Sequence, residues 1–240
     1  ATMLKKMVFE RLNSGGVKLG SQETRNAVYD GPLNKLCLEL SENDEFRRMW
    51  GIPLVPIPEE TPEDESDENI DNLSTTKGKR MFASMEDVEL VLRFFAYRQI
   101  DSFKSGLNKI SEFLDRFIVQ GNQFPNDLLE QYRLMFEKTV SFLWEALGHD
   151  AFCLIGIQKR SKAPTKIVYD PLMYVASSND VIKVHSNLIE KKTLLKNELT
   201  AMYKHNTELF AGRRTNFVDT QKRNKCVREA FNTAIQATKS

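Results

Sequence analysis

Hydrophobic residues recur along most of this chain at spacings of three and four, the period of an amphipathic α-helix. Met3, Leu4, Met7, Val8 and Leu12 fall near one helical face of residues 2–12. A second helix is predicted over 21–30, punctuated by Asp30-Gly31-Pro32. A third, over 32–49, turns Leu33, Leu36, Cys37, Leu40 and Phe46 inward and closes at Trp50-Gly51. Ser84-Met85-Glu86-Asp87 has the form of a capping box with Asp in place of Glu, ahead of a helix over 88–97 that buries Leu90, Val91, Phe94 and Phe95. Longer helices follow over 102–119, with Phe103, Leu107, Phe113 and Phe117 inward, and over 126–147, ended by Gly148. Residues 151–157 read either as a short strand or as a buried turn. Helical spacing returns over 168–177, 184–204 and 217–237. The expected class is all-α: an irregular multi-helix bundle of about eight helices with one long acidic loop.

That loop divides the chain into a motif-bearing region over 1–50, an insertion over 51–80 and a helical bundle over 81–240. Four prolines fall between 53 and 62, and eight acids and no base between 59 and 71. Ordering such a segment would cost conformational entropy that little apolar burial offsets, so 58–80 is expected to be flexible. It reads as a solvated linker, or alternatively as an acidic arm that mimics nucleic acid or docks on a basic surface.

At 240 residues, with 41% hydrophobic residues and 15 Phe, the chain is long and apolar enough for a sizeable core. The net charge of +1 argues against a protein that coats nucleic acid uniformly, but the charges are sorted. Residues 191–240 hold eleven Lys or Arg against four acids. Cys37, Cys153 and Cys226 are far apart and odd in number, which fits buried thiols in a reducing compartment, and no Cys/His cluster suggests zinc. The start of the chain lacks the pattern of a secretory leader, and the longest apolar run falls well short of a bilayer span. A cytoplasmic protein with no membrane partner is expected.

The densest signal lies over residues 8–26, VFERLNSGGVKLGSQETRN. Asn13, Ser14, Gly15 and Gly16 form a turn that tolerates positive φ and close backbone approach, and Ser21 is placed to cap the helix after it. One reading is structural: a tight helix–helix turn, with Arg25 paired to Glu10 or Glu23. The other is functional. Backbone N–H groups of the turn, the amino end of the second helix, and Arg11 or Arg25 would face a phosphate.

The spacing ExLNSGGxxLxxQExRN resembles the amino-terminal domain family of GmrSD-type modification-dependent restriction enzymes, well over residues 7–50, more weakly over 81–118 and diffusely over 167–231. In that family a ParB/sulfiredoxin-like nucleotide-hydrolysing part, with an Asp-Gly-Gln-Gln-Arg signature, precedes this motif. The present sequence has no such signature. The resemblance therefore implies that it corresponds to the carboxy-terminal, helical portion of such a domain, as a fragment or a split gene product. It also implies nucleoside triphosphate and magnesium as cofactors of the complete domain but none for this chain. The implied partners are a nuclease module, the missing amino-terminal portion, and DNA. Arg11, Asn13, Ser14, Gly15, Gly16 and Arg25 would border the nucleotide site.

A second basic cluster comprises Arg213, Arg214, Lys222, Arg223, Lys225 and Arg228. These residues complement helix carboxyl ends, or alternatively meet DNA phosphates, for which clustered Lys and Arg are the electrostatic footprint. No His/Asn arrangement suited to nuclease chemistry accompanies them. Aromatic residues over 94–117 have core spacing, with base stacking as the alternative. His149-Asp150 near Cys153 lacks the third group that would orient a Cys–His nucleophile. No catalytic residue and no metal ligand is assigned.

Overall fold

The structure, a computed structural model, describes residues 20–54, 74–99, 110–157, 163–211 and 217–237. Among the described residues there are twelve α-helices and no strand. In chain order they are α1 (Ser21–Val28), α2 (Pro32–Ser41), α3 (Asp44–Trp50), α4 (Thr76–Ala83), α5 (Glu86–Tyr97), α6 (Ile110–Gly121), α7 (Asn126–Leu147), α8 (Lys166–Ala176), α9 (Asn179–Ile182), α10 (His185–Glu190), α11 (Lys192–His205) and α12 (Phe217–Ala237). None of the described helices is long and apolar enough to cross a membrane.

Two helices lie at the centre because they are apolar almost all round. In α5, Val88, Leu90, Val91, Leu92, Phe94, Phe95 and Ala96 are all buried, and in α8 Ile167, Val168, Tyr169, Leu172, Met173, Val175 and Ala176 are. Their contacts advance together along both chains: Glu89 meets Lys166, Arg93 meets Asp170, and Arg98 meets Ser177. The two helices are therefore parallel. α2, α4 and α6 pack on α5, α12 packs on α8, and α7 bridges α2, α3, α8 and α11. A continuous aromatic group, Phe46, Trp50, Phe136, Phe152 and Tyr169, fills the space between α3, α7 and α8 with largely edge-to-face contacts. Residues before the acidic insertion and after it share one core, so the divisions at 50 and 81 do not separate two cores.

Several element boundaries differ from the sequence-based expectation. The helix expected over 32–49 breaks in two at Asn43, whose side chain accepts the Phe46 N–H at 2.9 Å and starts α3. Gly20, not Ser21, caps α1, and the Glu23 carboxylate accepts the Gly20 N–H. Met85, at φ 55°, precedes α5, while the Ser84 hydroxyl donates back to the Arg80 carbonyl at 2.9 Å, so the capping box is not formed. The helix expected over 184–204 breaks at Lys191. Residues 151–157, read as either a short strand or a buried turn, form the turn, with Ala151, Phe152 and Cys153 buried.

The insertion is also shorter than expected. Thr75 caps α4 by accepting the Gly78 N–H at 2.9 Å, so residues 76–80 are helical rather than loop. α4 sits tightly on the end of α3: the Thr75 N–H donates to the Gly51 carbonyl at 2.9 Å. A Cβ at Gly78 would lie 1.7 Å from that same oxygen, so only glycine fits. The acidic run 59–71 lies outside the described residues.

Candidate functional site

Of the motif expected to border a phosphate, Arg11, Asn13, Ser14, Gly15 and Gly16 lie outside the described residues, and Arg25 lies within them. α1 is too short to persist alone and carries little apolar surface. Its buried residues are Gln22, Arg25 and Val28. Arg25 is 2% exposed. Its Nε–H donates to Asp115 Oδ1 at 2.8 Å, and Nη1 donates to Glu89 Oε2 at 3.1 Å and to Gln22 Oε1 at 3.0 Å. Nη2 donates to Ser111 Oγ at 2.9 Å. The guanidinium thus ties α1 to α5 and α6. These contacts take the place of the expected phosphate contact and of a pair with Glu23, while Glu10, the other expected partner, lies outside the described residues. The reason is geometric: a fork of five donors is largely filled by two carboxylates, a hydroxyl and an amide.

Glu89 carries the network onward. Lys166 Nζ lies 3.1 Å from Glu89 Oε1 and 3.1 Å from Glu86 Oε2, linking the amino ends of α5 and α8. Burial acts to raise the Glu89 carboxyl, but Lys166, Arg93 and Arg25 outweigh it and hold its pKa below the ordinary value. One turn deeper, Arg93 Nε–H donates to Asp170 Oδ1 at 3.1 Å, Nη2 donates to Asp170 Oδ2, and Nη2 also donates to the Tyr97 oxygen at 3.0 Å. Burial works against the Arg93 cation, and Asp170 and Tyr97 beside it reverse that, so its pKa lies above the ordinary value. At the far end Arg98 donates to the Ser177 carbonyl at 2.9 Å. A polar seam thus runs down the contact between the two central helices. Glu89 and Arg93 stand inside the apolar stretch that follows the acidic first turn of α5, which is the sequence signal that marks the seam.

Arg47 does similar work at the root of the insertion. It is 6% exposed, donates to the carbonyls of Ser41 at 2.9 Å and Pro53 at 3.3 Å, and lies over the Phe82 ring. Asp87 is buried nearby, and desolvation pushes its carboxyl up to about 6 against the pull of the Val88 N–H and Arg47.

Two members of the basic cluster near the carboxyl end, Arg223 and Arg228, are absorbed in the same way. Arg213 and Arg214 lie outside the described residues. Arg223 was expected on a phosphate-facing surface, but it is 3% exposed and its Nε–H donates to the Leu209 carbonyl at 2.9 Å. Arg228 Nη1 donates to both oxygens of Asp180, at 2.9 and 3.1 Å, and to Ser178 Oγ at 2.7 Å, fastening α12 to α9. Both are corrected from DNA-phosphate candidates to contacts within the fold. Lys222 stays exposed, and Lys225 stands 3.9 Å from Glu229. A cleft of about 520 Å3 opens where α11 meets α12, and its charged lining is mixed: Lys222 and Arg223 against Glu208 and Asp219. Such a lining has no single preferred charge for a ligand.

His149 and Cys153 are not assembled for catalysis. The imidazole is exposed with Nδ1 3.4 Å from the Arg48 carbonyl, the Cys153 thiol faces the His149 carbonyl at 4.0 Å, and Asp150 pairs with Lys196. Phe94, Phe95, Phe113 and Phe117 are core residues. Among the described residues no group of three or more His, Cys, Asp or Glu is placed to hold a metal ion. No protein-family model, no curated protein and no solved structure matches the chain.

Proposed function

We propose that the chain is a helical scaffold that carries the glycine-rich motif 8–26 for a GmrSD-like modification-dependent restriction or anti-phage defence system, in a prokaryotic cytoplasm. The reading rests on the motif's residue pattern and on one observation. Arg25, the motif's own arginine, is buried against Asp115, Glu89 and Ser111, so the motif is built into the bundle through its carboxyl end. A scaffold of this kind offers its glycine-rich motif to a nucleotide-hydrolysing part and its outer helices to a nuclease module. Nucleoside triphosphate and magnesium belong to the complete assembly, and the chain alone has no turnover. DNA contact, in this reading, falls to Lys222 together with Arg213 and Arg214, since Arg223 and Arg228 are already engaged. That same engagement favours a second reading, a helical protein-interaction module with no nucleotide or DNA role.

Phosphate release from each nucleoside triphosphate with magnesium, measured beside a duplex-DNA titration at low ionic strength, tests the proposal. No turnover together with weak, sequence-indifferent, salt-sensitive DNA binding is expected. Turnover that survives repurification overturns the scaffold reading, and no DNA binding at all leaves the interaction module.

A further inference from the structure

The cleft between α11 and α12 carries opposite charges on its two walls, and the walls are held apart by bonds of the fold. One wall is the end of α11 with the turn over 206–210, and the other is the first half of α12. Asn206 fixes the turn: its Nδ2 donates to the Met202 carbonyl at 2.9 Å, and its Oδ1 lies 3.7 Å from Cys226 Sγ of α12. Arg223, 3% exposed, ties the walls together through its bond to the Leu209 carbonyl. The cleft is therefore preformed, which lowers the ordering cost of binding.

These bonds leave other lining groups available. On the turn, Thr207 and Glu208 are exposed, and neither side chain has a hydrogen bond or ion pair with another described residue. His205 stands beside them with Nδ1 2.7 Å from the Ala201 carbonyl. A carbonyl only accepts, so the proton sits on Nδ1 and the neutral ring offers Nε2 as an acceptor. On α12, Lys222 is exposed and forms no ion pair with Glu208 across the cleft. Asp219 on the same wall acts on Arg223, yet burial still holds the Arg223 pKa below its ordinary value, so an added anion would be welcome there.

Acceptors thus gather on one wall and an ammonium on the other. A ligand of one charge sign meets repulsion from one wall, whereas a ligand with an ammonium at one end and a carboxylate at the other is matched at both. In an α-amino acid the two charges share one carbon, too close to serve walls that do not touch. A dipeptide adds a Cα–Cα step of about 3.8 Å. Leu209, half-buried in the turn, supplies apolar surface between the ends. The volume of about 520 Å3 lies within the roughly 300–1,000 Å3 usual for small-molecule sites.

We propose that this cleft binds a short zwitterionic peptide of dipeptide size, its ammonium received by Glu208 and His205 Nε2 and its carboxylate by Lys222. Such a site needs neither the nucleotide nor the nuclease of the proposed function, and it shares only Lys222 with that reading.

Amide chemical shifts of the whole chain, titrated with glycyl-leucine, N-acetyl-glycyl-leucine and glycyl-leucinamide, test it. The free dipeptide should move amides of 206–209 and 219–223 and saturate with a dissociation constant of about 1 mM. Blocking either end should weaken binding about two- to fivefold, the scale of an exposed ion pair. Glu208→Gln should abolish the difference made by acetylation, and Lys222→Gln the difference made by amidation. Both side chains are exposed, so neither variant threatens the fold. The absence of saturable shifts up to about 10 mM, or shifts confined to other parts of the chain, overturns the site. Equal binding of all three peptides overturns the recognition of both charges.

Discussion

α1 and α12 stand at opposite ends of the described chain and are held by opposite means. α12 buries Val227, Ala230, Phe231 and Ala234 against α8 and α11, and its Arg228 pair with Asp180 sits at the half-exposed edge of that contact. In α1 the proportions are reversed: the arginine is inside, and the apolar contribution is small. Apolar packing is non-directional and roughly proportional to area, so it accumulates along a long helix. Bonds from one guanidinium are directional and act together, so they hold or release as a unit. The same residue type thus trims one interface and makes most of the side-chain hydrogen bonds at the other.

The largest effect should come from the apolar end. Phe231 is fully buried, and Phe231→Ala is expected to cost about 3–5 kcal/mol in denaturant unfolding, through lost transfer energy and the cavity left behind. A loss near zero would mean that α12 is not seated as described. A smaller effect of opposite sign is expected on the polar side. The Asp87 carboxyl, 3.8 ordinarily, holds its proton to about 6 in the folded chain. The folded state therefore binds the proton more tightly, and stability present below about 4 is lost as pH rises through about 6. Asp87→Asn keeps an acceptor for the Val88 N–H and removes the ionisation, so it should raise stability by about 1–2 kcal/mol at pH 7 and flatten the slope between pH 4 and 6. An unchanged pH profile would show that Asp87 is hydrated.

The helical class and the long helices were legible in the sequence because periodicity over twenty residues averages out local exceptions; 126–147 and 217–237 agree with α7 and α12. Boundaries set by one side chain were not. Asn43 breaks a run whose apolar spacing continues on both sides of it, and Thr75 starts a helix inside a stretch whose composition reads as loop. The candidate site was legible only as residue types. Arg25 was singled out, but its partners lie 64 and 90 residues away, and nothing local distinguishes a guanidinium facing carboxylates from one facing a phosphate. Arg223 and Arg228 share the difficulty: clustering in sequence says that cations are near one another, while helical rotation sends Arg223 inward and Lys222 outward.

The central claim is that Arg25 is an internal anchor rather than a ligand-binding group, and a double-mutant cycle between Arg25 and Asp115 tests it most directly. Denaturant unfolding of the wild type, Arg25→Gln, Asp115→Asn and the double variant should give a coupling energy of about 1–3 kcal/mol, with the double variant less destabilised than the two single losses together. Additive losses, with coupling below about 0.3 kcal/mol, would contradict the account.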